Sequence, residues 1–183
     1  AMMEMQFADF VTVGFNQIIN NLAKIHYRWS QNADVVIRMP TGGGVGAGPF
    51  HSQSNEAWFV HCPGLKVVYP STAYDAKGLL IAAINDPNPV LFFEHKALYR
   101  SISGQVPEEY YEVEIGKAKH VKEGQDISII TYGAGVHWAI EYAEKNKKIS
   151  VDIVDLRSLL PLDYDALQQA VSRTGKILVL HEE

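Results

Sequence analysis

The sequence has 183 residues, 47% of them apolar and 20% charged, with a net charge of −5 and one cysteine, Cys62. This is ordinary globular composition, enough for a sizeable core in one large domain or two small ones. The acidic balance excludes a basic nucleic-acid surface, the lone cysteine excludes an internal disulfide framework and fits a reducing compartment, and no apolar run nears the ~20 residues of a membrane span.

In chain order, Met3 to Phe7 alternates loosely and reads as a strand end, with Gln6 at its junction with a helix. Residues 9–27 then carry Phe15, Ile18, Ile19, Leu22 and Ile25 on one helical face, with Asp9 as its N-cap. The central stretch, 34–54, opens on the β-branched run Val35-Val36-Ile37, a buried strand over 34–39 that Pro40 should end. Gly42, Gly43, Gly44, Gly46 and Gly48 follow, and the loop closes on His51 among Ser52, Gln53 and Ser54. A strand, a glycine loop and a histidine among polar groups form the layout of a ligand site at a strand's carboxyl end. The spacing is neither that of a dinucleotide fingerprint nor that of a phosphate loop.

Ser54 should cap a short helix, 55–61, in which Trp58 and Phe59 pack. Cys62-Pro63-Gly64 is a turn, 65–69 a strand, and 72–85 a helix with Ala76, Leu79, Leu80, Ala83 and Ile84 inward. Asp86 to Pro89 is a second turn, and 90–93 a buried strand closed by Glu94-His95-Lys96. Apolar strands alternating with helices predict a parallel sheet covered on both faces. After an aperiodic, polar and aromatic stretch the alternation resumes: strand 126–131, the turn Tyr132 to Gly135, helix 136–145, strand 151–154, helix 164–172 capped by Asp163, and strand 177–180. This divides the chain into a first unit at 1–100, a linker at 101–118 and a second unit at 119–183. Ending on a strand predicts that the second unit continues beyond this sequence.

Other chemistries are weak. His51, His61 and Cys62 match no structural zinc spacing, and there is no G-x-S-x-G of a hydrolase. Asp152 and Asp155 are expected to be solvated or capping, and Lys145, Lys147 and Lys148 to form a solvated helix end. His95, His120, His137 and His181 show no shared geometry in the sequence.

The segments MEMQFADF (3–10), RMPTGGGVGAGPFHSQSNEAWFVHCPGLKVVYPS (38–71), DAKGLLIAAINDPNPVLFFEHKALYR (75–100) and DLRSLLPLD (155–163) resemble the beta subunit of thiamine-diphosphate-dependent 2-oxo acid dehydrogenases of the pyruvate and branched-chain type. The resemblance runs across nearly the whole chain, and its HSQS and HCPG segments are its most specific parts. It implies a transketolase-like α/β fold: a pyrimidine-binding domain followed by a transketolase C-terminal domain. It implies oxidative decarboxylation of a 2-oxo acid, with transfer of the acyl group to a lipoyl arm of the acyltransferase core. The partners implied are an alpha subunit, or a fused alpha portion, that holds the diphosphate and Mg²⁺, and a second beta chain. The location implied is the bacterial cytoplasm or the mitochondrial matrix.

Carried over by position, the resemblance makes His51 the active-site histidine for proton transfer and reductive acylation, and Gln6 a residue lining the cofactor. Phe10 stands where branched-chain enzymes have a tyrosine, so only an apolar or stacking contact remains there. A structural K⁺ is implied near Ala33, Val35, Val36, Ala83, Asp86 and Asn88, with Val36 in place of a threonine. The family's catalytic glutamate lies upstream of Glu4 and outside this sequence, and Glu4 matches a different position. These 183 residues alone are therefore expected not to decarboxylate. EMQFAD followed by an aromatic, and FFEHKALYR, lean toward the branched-chain type. Two alternatives remain: another transketolase-type thiamine enzyme, and a non-catalytic interaction module.

Overall fold

The computed structural model describes residues 1–182; Glu183, the last residue of the second unit as read above, lies outside them. The strands are β1 (Met2–Glu4), β2 (Val36–Thr41), β3 (Lys66–Val68), β4 (Val90–His95), β5 (Lys119–Lys122), β6 (Ile127–Thr131), β7 (Val151–Asp155), β8 (Ser158–Leu160) and β9 (Ile177–Val179). The helices are α1 (Ala23–Trp29), α2 (Ala57–Val60), α3 (Ala73–Asn85), α4 (Leu98–Ser101), α5 (Ala134–Lys145) and α6 (Tyr164–Thr174). They build two sheets, ordered β1-β2-β4-β3-β8 and β5-β7-β6-β9. Every pairing is parallel except β3 with β8 and β5 with β7.

The first sheet is buried on both faces because its side chains alternate. Ile37, Met39, Val67, Tyr69, Leu91 and Phe93 pack on one face against Ala8, Val11, Ile18 and Phe59. Val36, Val68, Val90 and Phe92 pack on the other against Leu79 of α3 and Val113. In the second sheet Ile129, Val151 and Ile153 meet α5, and Ile130 and Val154 meet Ala170 of α6.

Several expectations change. Pro40 does not end its strand: it pairs with Glu94, and β2 runs on to Thr41. Residues 36 and 38 turn their backbone groups toward β1, and by alternation so does residue 40. There β1 has already ended, so the missing N–H faces a side with no ladder to break. The helix expected over 9–27 winds as a 3-10 segment (Ala8–Gly14), a π segment (Gln17–Leu22) and α1. Asp9 does not cap it; it is buried and accepts the Gln53 N–H at 3.1 Å. Ser54 is not the cap of α2 either: Glu56 holds that position, and the Ser54 hydroxyl donates to Glu182. Asp152 and Asp155 are not solvated but wholly buried. Burial pushes the Asp152 carboxyl up, but His120 at 2.5 Å, Ser128 at 2.8 Å and Arg173 at 2.7 Å bring it below the ordinary carboxylate range.

The stretch after β4 is pinned across α3. The Lys77 ammonium donates to the carbonyls of Pro107, Glu108 and Glu109, and Tyr111 stacks on Tyr74 at 4.5 Å. Two short strands had no readable pattern. β5 joins the second sheet, and β8 crosses back to pair antiparallel with β3, so residues 158–160 belong to the first sheet.

Asp163 caps α6 as expected. One carboxylate oxygen accepts the Ala166 N–H at 3.2 Å and the other the Ala118 N–H at 3.0 Å. Asp163→Ala should cost about 1–2 kcal/mol in denaturant unfolding, with most of it restored by Asn. A loss under about 0.3 kcal/mol would show that water replaces the cap.

Candidate functional site at the carboxyl edge of the first sheet

Strands β1, β2 and β4 run parallel and release their chains on one edge. Gln6 and Phe7 follow β1, the glycine loop follows β2, and Lys96 follows β4. The loop folds back on its own neck. The Gln53 carbonyl accepts the Thr41 hydroxyl and the Gly42 N–H, both at 2.9 Å. Gly42 has φ +84°, and a Cβ there would stand 2.4 Å from the His95 ring, so both conformation and space demand glycine. Pro49 to His51 then form a single 3-10 turn that presents the half-buried His51 ring.

Three rings meet edge to face around His51. Its centroid lies 4.7 Å from that of Phe7 and 5.5 Å from that of Phe10, and Phe7 and Phe10 are 5.8 Å apart. Phe10 is 39% exposed, so this apolar wall is open to a ligand. The Lys96 ammonium sits 5.4 Å from the centroid of Phe7. Burial lowers the Lys96 pKa, while the charges of Asp9 and Glu182 pull it back up.

Lys96 Nζ, Asp9 Oδ2 and Asn55 Oδ1 are buried without a hydrogen-bond partner among the described residues. Each such atom costs about 1–3 kcal/mol if left so, and three near one loop mark a place built to receive polar atoms from elsewhere.

His51 and Phe10 are thus brought together, and Gln6 stands exposed one residue before Phe7. Phe7, Asp9, Asn55 and Lys96 were missed as site residues. Phe7 and Asp9 lie inside the quoted MEMQFADF, but only the folded chain sets them against residues 51–55. The six positions expected near K⁺ lie at the opposite, amino edge of the sheet, where Ala33 bonds Pro87 and Val35 bonds Val90. The Asp86 carboxylate is already taken by Lys66 and by Asn88 at 2.9 Å, so a cation there would rest on carbonyls and compete with the Lys66 ammonium. His51, His61 and Cys62 form no metal cluster among the described residues.

Residues 1–101 match the model of the transketolase pyrimidine-binding domain. The chain belongs to that family. Residues 116–183 match the transketolase C-terminal domain that follows it. The pyrimidine-binding domain and its neighbour are similar, at 54% identity, to the 2-oxoisovalerate dehydrogenase subunit beta of Bacillus subtilis, over 98% of this chain and 56% of the relative. Identity to the pyruvate dehydrogenase E1 component subunit beta of the same organism is 47%, over 98% and 57%. A solved structure titled as a split gene transketolase, inactive beta4 tetramer, superimposes with a TM-score of 0.78 at 26% identity, over all of this chain and 57% of that one. The chain thus spans little more than half the length of these relatives. The expected transketolase-like α/β fold is the fold found.

Proposed function

We propose that this chain is the cofactor-cupping beta portion of a thiamine-diphosphate-dependent 2-oxo acid dehydrogenase. The observation that carries the reading is the open aromatic wall of Phe7, Phe10 and His51 beside three buried polar atoms without hydrogen-bond partners among the described residues. An aminopyrimidine fits such a wall: its flat ring suits edge and face contacts, and its ring nitrogens and amino group suit buried polar partners. Once bound, thiamine diphosphate would supply a carbon nucleophile for the 2-oxo carbon and a sink for the electrons left as CO₂ departs.

This chain's residues do the rest of the local work. Phe7 and Phe10 exclude water and fix the cofactor ring. Gln6, exposed two residues past β1, would line the cofactor. His51 gives and takes a proton at an imidazole nitrogen and serves acyl transfer to the lipoyl arm. An alpha partner supplies the diphosphate and Mg²⁺ side, a second beta chain completes the assembly, and a lipoyl domain of the acyltransferase accepts the product. A compartment that holds this complex, bacterial cytoplasm or mitochondrial matrix, follows from the same reading. Without that alpha partner the chain does not turn over.

The natural-length chain, assembled with its alpha partner, thiamine diphosphate and Mg²⁺, should release CO₂ from 3-methyl-2-oxobutanoate and from pyruvate. The branched acid should lead in kcat/KM, and one or two methylenes allow a ratio of about 10–200. Release from neither acid would favour a transketolase-type reaction or a non-catalytic module.

A further inference from the structure

We propose that Glu182 is a positioning residue: it straps the second unit onto the glycine loop and so sets where His51 stands. Its carboxylate accepts the Gly43 N–H at 3.2 and 3.3 Å, the Ser54 hydroxyl at 2.9 Å and His95 Nε2 at 3.1 Å. Gly43 lies where the loop leaves β2 and Ser54 where it re-enters the core, so one side chain holds both ends of the segment that carries His51. The grip on His95 has a defined direction. The Ala97 N–H donates to His95 Nδ1 at 3.3 Å, which leaves the Nε2 proton for Glu182.

The other end of the strap is anchored in the second sheet. The Leu180 N–H donates to the Ile130 carbonyl at 3.0 Å, and His181 stacks on Tyr132 at 6.4 Å. Tyr132 in turn donates to Glu56 of the first unit at 3.0 Å. Burial pushes the Glu182 carboxyl up, but the hydrogen bonds from Ser54, the Gly43 N–H and His95 bring it below the ordinary range, so it is ionised at neutral pH and its hydrogen bonds are of the stronger, charge-assisted kind.

Packing does not duplicate this hold. Residues 44–50 are exposed, and a cavity of about 410 Å³ between Gly43, Gly44, Ala97, His137 and Trp138 lies beside the strap. A glycine-rich loop over a void has little else to fix it. Its neck bonds to Gln53 close the loop on itself, whereas Glu182 ties it to the other sheet.

The loop-ordering claim stands on these contacts alone; only its catalytic consequence rests on the proposed role of His51. The test uses the full-length chain in its assembled state, with Glu182→Ala, Glu182→Gln and Ser54→Ala. Amide hydrogen exchange at 42–54 should speed up about tenfold or more in Glu182→Ala, while β6 exchanges as before. Glu182→Gln, which keeps one acceptor oxygen, and Ser54→Ala, which removes one grip, should each give a smaller rise. Turnover of Glu182→Ala should fall about tenfold to a hundredfold in kcat with KM little changed, as expected when a reacting group is misplaced rather than lost. Unchanged exchange in the loop overturns the strap, whatever turnover does. Faster exchange with unchanged turnover supports the strap and counts against His51 as a reacting group. Should Glu182→Ala fail to fold, the two milder variants decide on the same exchange readout.

Discussion

His51→Ala should remove acyl transfer to the lipoyl arm by about 10²–10⁴-fold in the assembled enzyme, the usual worth of a placed general acid–base group. The fold should survive. The ring is half-buried, and the backbone bond from His51 N–H to Gly48 O does not involve it. What is lost is two edge-to-face contacts, together about 1–3 kcal/mol. Reductive acylation followed with a lipoyl domain, beside CO₂ release driven by an artificial electron acceptor, separates the steps. The first should collapse and the second fall less. Acylation persisting within about threefold of wild type would remove His51 from the reaction and leave it as a third wall of the cup.

The second large effect lies at the junction between the units. Asp155 ends β7 wholly buried, and burial drives its pKa up to about 6. The Ser71 hydroxyl and the Arg157 N–H at 3.0 Å act against that rise, and the nearby Asp75 adds to it. Arg157, itself held by Asp75 at 3.1 Å, cannot fully serve both carboxylates. The folded chain therefore holds a proton that the unfolded chain releases between about pH 4 and 6, and stability falls as pH rises through that window. A carboxyl that titrates near pH 6 when folded and near pH 4 when unfolded costs the fold on the order of 3 kcal/mol, in place from about pH 6 upward.

Asp155→Asn keeps an acceptor for the Arg157 N–H and a polar atom for Ser71, but cannot ionise. The stability of this variant relative to wild type should rise by about 2–3 kcal/mol between pH 4.5 and 7.5 in parallel denaturant titrations. A difference that stays flat across the window would mean that Asp155 is ionised throughout and that its partners meet the cost of burying it.

Much of the sheet skeleton was legible because its strands are buried on both faces and read as apolar runs, as in Val35 to Ile37 and Val90 to Phe93. Helix α3 was legible too, since Thr72 accepts the Asp75 N–H as a cap should. The winding of 8–29 was not, because apolar spacing does not separate 3-10, π and α turns, which here bury Val11, Ile18 and Ala23 in succession. Pro40 misled because the rule that proline breaks a ladder depends on which neighbour its missing N–H would face. Strands β5 and β8 are short, and β8 is a strand only because β3 offers it an edge.

In the site, His51 was legible from the glycine loop before it. Its neighbours were not, because Phe7, Lys96 and Glu182 come from three distant parts of the chain and meet only once both sheets are assembled. Asp152 and Asp155 misled for the opposite reason: carboxylates on a strand are usually solvated, and nothing local announces the partners that let these two be buried.

Residues 158–160 give the fold a timing problem. Strand β3 contributes wholly buried Val67 and Val68, yet one of its edges is completed by β8, made only after most of the second unit. On the ribosome that edge stays bare while its own domain is otherwise ready to close. An open, apolar edge invites the wrong strand, from this chain or another. The β3–β8 pairing thus sets a strand from the second matched domain into the sheet of the first. The antiparallel pairing that joins them is a long-range contact formed late, after a costly loop closure.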